Sequence, residues 1–280
     1  MKPSPDLPHL RIVPTAHLRP HELPDQQRAE PLARAIELDR VLRNPPIVLP
    51  IDSQPGEYVV LDGANRVTAL RLLEVPFALV QVAHPNGDSV EVKTWNHILL
   101  DETPSKIEGL FQSLNGFQFT AAEPGEADRA LSAGESLLTV RLPHGVTLLS
   151  RVQDQSLQAR IGALREMVSV YDGKVHFERT SGDHLEGLAE IYRQLAGLVV
   201  FPEFGAGEVV EGAANGWHFP PGITRFIVSP RALRLNYPLE MLSQGDDLET
   251  TQAHLDDWIR ERMRNRRVRF YAESTFLFDE

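Results

Sequence analysis

Apolar positions along the chain switch between a period of two and a period near 3.6, and the switches set out the elements. Leu10-Arg11-Ile12-Val13-Pro14 predicts a short strand running into a loop, and Pro20-His21-Glu22-Leu23-Pro24 a turn-rich stretch. From about 26 to 42, Ala29, Leu32, Ala33, Ile36 and Val41 recur at helical spacing. Asn44-Pro45-Pro46 stops that helix, because proline cannot continue one. Two β-rich runs follow, over 47–51 and 57–61, with the hairpin signal Gln54-Pro55-Gly56 between them. Asp62-Gly63-Ala64-Asn65 then turns straight into a helix over 66–73, and Ala78-Leu79-Val80-Gln81-Val82 reads as a further strand.

The pattern loosens into polar, proline-containing sequence over 101–128, which marks a boundary. Beyond it, Leu157, Ile161, Leu164, Met167 and Val168 predict a helix over 155–171, followed by a strand at 173–177. A second helix is expected over 185–198, a strand over 222–228, a third helix over 248–263 and an aromatic-rich strand or hairpin over 268–278. The expected class is α+β, with one domain over 1–104 and a mixed domain over 105–280.

Composition narrows the function classes. The 280 residues are 42% apolar and contain no stretch of 18 apolar residues, so no membrane span is expected. The first residues lack the apolar core of a secretory signal, which points to the cytoplasm. Cysteine is absent, which removes thiolate metal sites, disulfides and cysteine nucleophiles. A formal net charge of −11 runs against phosphate-neutralising nucleic-acid binding. Nothing in the sequence fixes an oligomeric state.

Four stretches carry chemistry, each with a plainer alternative. Asp62-Gly63-Ala64-Asn65-Arg66 places a strand end against a helix start, where unpaired N–H groups and an arginine suit a phosphate. The same residues also make an ordinary capped turn. Glu22, beside His21 in a turn, is either a general base or a solvated loop glutamate. Thr94-Trp95-Asn96-His97 reads as a ligand wall or as a core tryptophan with a satisfied indole. The arginines at 260, 262, 264, 266, 267 and 269 offer a phosphate or nucleic-acid contact, but read best as a solvated helix end beside the aspartates at 246, 247, 256 and 257.

In order along the chain, Ile12-Val13-Pro14, Leu42-Arg43-Asn44-Pro45-Pro46-Ile47-Val48 and the segment Tyr58 to Leu70 resemble the ParB/sulfiredoxin superfamily. Within it, His21-Glu22, Asp62 to Arg66, Thr94 to His97 and Gly222-Ile223-Thr224-Arg225-Phe226 resemble motifs of the free L-serine kinases, and Arg269-Phe270-Tyr271-Ala272-Glu273 is similar to their ending. The resemblance implies a ParB/sulfiredoxin-like nucleotide-binding domain over 1–104, a C-terminal domain over 105–280 that contributes to the substrate site, and a cleft between them. It implies transfer of a phosphoryl group to free L-serine from an adenine nucleotide, ATP or ADP, with Mg²⁺. Glu22 would be the catalytic base, and Asp62 would act near the metal or the substrate hydroxyl. Arg43, Gly63, Ala64, Asn65 and Arg66 would hold the nucleotide, and Thr94, Trp95, His97, Thr224 and Arg225 the serine. Asn65 stands where the family has histidine, and Arg28 where the archaeal enzymes carry an acidic residue. The alternative is a non-catalytic ParB-like regulator that binds DNA or nucleotide; sulfiredoxin chemistry needs a cysteine and is excluded.

Overall fold

The computed structural model describes residues 7–83, 90–151, 153–244 and 247–271. It confirms a mixed α and β chain built on two principal sheets. In the first sheet the strands run in the order His9–Pro14, Phe77–Val82, Ile47–Pro50, Tyr58–Asp62, Leu18–Pro20. Ile47–Pro50 pairs antiparallel with Tyr58–Asp62, as the hairpin signal predicts, and parallel with Phe77–Val82.

The near-continuous apolar character of these central strands has a physical cause: both faces are covered. Ile47, Leu49, Val59 and Leu61 point into one core with Leu99, Phe111 and Phe219. Val48, Tyr58 and Val60 point the other way, into a core completed by Ile36, Val67, Leu70 and Leu255. The helices Gln26–Asp39, Ala64–Leu72 and Leu248–Arg264 contribute to that second core, so the C-terminal helix lies against the first sheet. Ile12 N–H donates to Gln252 Oε1 at 2.8 Å, joining the first strand to that helix.

The second sheet is antiparallel throughout, ordered His176–Thr180, Asn96–Leu100, Leu195–Val200, Ser136–Arg141, Thr147–Arg151, Phe119–Ala122. A separate ribbon pairs Val90–Thr94 with Thr224–Val228. Trp95 sits where the chain leaves the ribbon for the second sheet, its N–H bonded to the carbonyl of Ile223 at 2.9 Å.

Two expectations change, and one stretch left without elements gains them. The helix expected over 185–198 is a short helical turn, Leu188–Ile191, followed by the strand Leu195–Val200. Residues 195–200 are buried between two neighbouring strands, a setting that outweighs any local helical spacing. The stretch 101–128, where the sequence pattern marks only a boundary, holds regular elements: Thr103 caps a helix over Pro104–Gln112, and a strand and a second helix follow. The first helix stops at Asp39, before the prolines, because Arg40 turns left-handed at φ 57° and Val41–Leu42 pair with Tyr237–Pro238. The strand or hairpin expected over 268–278 falls partly outside the described residues; 268–271 form no regular element. The arginine-rich end is a solvated helix terminus, with Arg260 paired to Asp257 and Arg262 lying over Trp258 at 3.9 Å.

Candidate active site

A cleft of about 450 Å³ opens beside the strand end at Asp62 and the ribbon at Thr224–Val228. Its lining includes Glu22, Asp62, Gly63, Trp95, Thr224 and Arg225, and it adds two arginines that no motif marked, Arg179 and Arg231. Residues from both principal sheets and from the ribbon therefore meet in one small space.

His21 and Glu22 are not a solvated loop. Phe219 N–H donates to the His21 carbonyl, and the His21 ring is buried at 2% exposure. Its Nδ1 lies 2.6 Å from the carbonyl of Val60 and its Nε2 2.7 Å from Thr224 Oγ1. A carbonyl only accepts, so Nδ1 carries the proton; burial lowers the ring's pKa and keeps it neutral. Nε2 then accepts the hydroxyl proton of Thr224. The histidine thus bolts the ribbon to the first sheet. Its neighbour Glu22 accepts the N–H of Gly222 on Oε2 at 2.7 Å, and Oε1 takes no hydrogen bond among the described residues.

Gly222 is a junction. Its φ of +77° suits glycine, and a Cβ there would run into the Arg179 guanidinium. Its carbonyl accepts from His97 Nε2 at 3.2 Å, and His97 Nδ1 takes the hydroxyl proton of Tyr171 at 2.7 Å. His97 is fully buried, stacked on Phe177, with burial holding its pKa down at about 4. It therefore does not line the cleft, contrary to its expected place on a substrate wall. Thr94 does not line it either: its hydroxyl donates to the Pro202 carbonyl, and it faces the adjoining cavity. Of that motif only Trp95 reaches the cleft, with the Arg225 guanidinium 4.5 Å above its ring.

At the Asp62 turn Gly63 makes the expected tight turn, but neither Asp62 nor Asn65 caps the helix. Gly63 has a φ of +97°, and no side chain caps the Ala64–Leu72 helix, so its first-turn amides are uncovered. The helices beginning at Gln26, Pro104, Leu157 and Leu248 do receive side-chain caps. Arg66, expected at a phosphate, is curled back instead. It donates to the carbonyls of Asn44 and Pro45 and to Asp62 Oδ2 at 3.0 Å, and its guanidinium packs under Gly63. Asn65 Oδ1 accepts the N–H of Asp25 at 3.0 Å, tying the starts of two helices together. Arg28, an exposed residue, pairs with Asp25 at 3.2 Å.

The charge in the cleft comes from elsewhere. Arg231 pairs with the Asp62 carboxylate across the cleft. Its loop is held by Gln81, which is buried at 3% exposure, donates to the Pro230 carbonyl and accepts the N–H of Ala232, each at 2.8 Å. Arg43 pairs with Asp39 and lines a neighbouring groove of about 330 Å³ with Leu32, Ile36 and Arg66. Arg66 lines that groove and its partner Asp62 lines the cleft. Among the described residues no three potential ligands cluster to cage a metal, and no helix is long and apolar enough to cross a membrane.

No family model matches the chain. It is 27% identical over 274 residues to the ATP-dependent L-serine kinase SbnI of Staphylococcus aureus (strain NCTC 8325 / PS 47), across 97% of this chain and 98% of that protein. SbnI with a C-terminal truncation, also from S. aureus, matches in structure at a TM-score of 0.73 and 25% identity, covering 91% of this chain and 97% of that one. A free serine kinase with a glutamate-to-alanine substitution, in complex with ADP, matches at a TM-score of 0.70 and 17% identity, over 86% of this chain and 96% of that one. The likeness to the free serine kinases drawn from the sequence motifs is thus met twice, along the sequence by SbnI and in the fold by both structures.

Proposed function

We propose that the protein is a free serine kinase that phosphorylates L-serine to O-phospho-L-serine with an adenine nucleotide as donor. The observation that carries the reading is the Glu22 carboxylate, fixed through one oxygen by a backbone N–H and open through the other, in a cleft lined by three arginines. Full-length similarity to a protein described as an ATP-dependent L-serine kinase supports it and makes ATP the first donor to test.

Phosphoryl transfer asks mostly for positioning and charge stabilisation. Glu22 takes the proton of the serine hydroxyl as that oxygen attacks the terminal phosphorus of the nucleotide. The bond from phosphorus to the bridging oxygen breaks, and the shortened nucleotide leaves. The uncapped amides at Gly63, Ala64, Asn65 and Arg66 hold the phosphates, while the Arg66 side chain braces the turn. Arg231 supplies the neutralising side-chain charge that Arg66 does not. The groove beside Arg43 takes the base or ribose. Trp95, Thr224 and Arg225 face the serine, and His97 supports them from below by holding Gly222. In this reading residues 1–104 carry most of the nucleotide side, with Arg231 added from 105–280, and the serine side draws on both, Glu22 and Trp95 from the first and Thr224 and Arg225 from the second.

Mg²⁺ belongs to the same proposal. Asp62 Oδ2 receives both arginines, and Oδ1 has no partner among the described residues. One carboxylate oxygen plus substrate phosphates is an ordinary Mg²⁺ environment. Bound there, the cation would neutralise charge on the phosphoryl oxygens.

The test is a product assay with Mg²⁺, L-serine and ATP, ADP or pyrophosphate, read by detection of O-phosphoserine. Turnover with a nucleotide is expected. Nucleotide binding without turnover from any donor would instead favour the non-catalytic regulator.

A further inference from the structure

We propose that Arg179 reads the free α-carboxylate of the acceptor, so that the enzyme selects the free amino acid over serine within a peptide. The inference deepens the serine-kinase reading and rests on it. Two of the three cleft arginines are already engaged: Arg231 with Asp62, and Arg225 through its face with Trp95. Arg179 has no ion pair among the described residues. It stands directly opposite His97 in the antiparallel pairing of His176–Thr180 with Asn96–Leu100, so the two side chains share a sheet face. That face looks toward Gly222, whose carbonyl accepts from His97 and whose missing Cβ makes room for the Arg179 guanidinium. The N–H of the same glycine holds Glu22. A single residue therefore lies between the proposed base and an unpaired cation.

That separation matches the acceptor. The hydroxyl oxygen of serine and its carboxylate carbon are three bonds apart, so the group that reads the carboxylate must sit close to the group that takes the hydroxyl proton. A guanidinium presents two parallel N–H donors to a carboxylate. Serine in a peptide offers a neutral amide there and would leave the guanidinium without its anion, which is how a polar site rejects an analogue.

The experiment is steady-state kinetics of the wild type, Arg179→Lys and Arg179→Met with L-serine and L-serinamide as acceptors, alongside thermal midpoints. Arg179 is exposed at the cleft, so both variants are expected to fold. In Arg179→Met the KM for serine should rise about 10–100-fold, the loss of one charged hydrogen-bonded contact, with kcat largely kept. The preference for serine over serinamide should collapse in the same variant and be partly restored in Arg179→Lys. An active wild type whose serine KM and preference are unchanged in Arg179→Met overturns the assignment and leaves the kinase reading standing. A wild type that forms no phosphoserine with either ATP or ADP overturns both.

Discussion

Glu22 and Gly222 are 200 residues apart in sequence and share one hydrogen bond, from the glycine N–H to the carboxylate Oε2 at 2.7 Å. Behind it runs a line of contacts from the core: the Tyr171 hydroxyl to His97, His97 to the Gly222 carbonyl, and the Gly222 amide to Glu22. The orientation of the proposed base is thus set through Gly222 by two groups buried in the core, Tyr171 and His97.

Glu22→Gln keeps the shape of the side chain and removes its basicity. The expected result is a fall in kcat of about 10²–10⁴-fold, with serine KM and thermal midpoint close to wild type. Steady-state phosphoserine production checks it, and near-normal turnover would remove Glu22 from the role of base.

Gly222→Ala forces an alanine into left-handed φ and drives its Cβ at Arg179. A stability loss of about 1–2 kcal/mol is expected, together with reduced turnover. Gly207→Ala is the matched control: that glycine lies exposed in the Ala206–Ala214 helix with open space around it, and alanine there should be neutral or stabilising. Denaturant titration of both variants makes the comparison.

His97 predicts a pH window. Its folded pKa of about 4 lies below the ordinary value of 6.5, so between those limits the unfolded chain binds the extra proton. Stability should fall as pH drops from 6.5 toward 4 and this contribution should level off below, at about 3 kcal/mol in all. Buried His21, also lowered chiefly by desolvation, acts in the same direction. Unfolding curves for wild type and His97→Gln across this range should diverge most at high pH, and parallel curves would contradict the assignment.

Gln81→Leu should leave the Pro230 carbonyl and the Ala232 amide without their partner and loosen the loop that carries Arg231. A cost of about 1–3 kcal/mol is expected. Because Arg231 is assigned to the phosphate side, the nucleotide KM should rise more than the serine KM, and an equal rise in both would count against that division.

What the sequence made legible follows physical range. The strands around 47–50 and 58–62 were readable because both faces bury apolar residues, and the Asp62-Gly63 turn because left-handed φ demands glycine. The run at 195–200 was misread because an apolar stretch looks alike in a buried helix and a central strand. Thr94 to His97 was readable as a functional segment, but its side chains divide among an adjoining cavity, the cleft and the core. Arg179 and Arg231 carry no local signature at all: one is placed by its register against His97, the other by a buried glutamine from a distant strand. That glutamine did leave a trace, as the lone polar residue in the run Ala78 to Val82.

The bond between Ile12 and Gln252 has a consequence for how the protein comes into being. The core beneath the first sheet is completed by Tyr237, Leu242 and Leu255, so a nascent chain holds that side only partly covered, by the helices Gln26–Asp39 and Ala64–Leu72, until Leu248–Arg264 has been synthesised. Such long-range closure slows folding and exposes apolar surface in the interval. Residues 21–22, 62–63, 179 and 222–231 likewise meet only at the end, so every molecule passes through a stage that is foldable in parts and inactive as a whole.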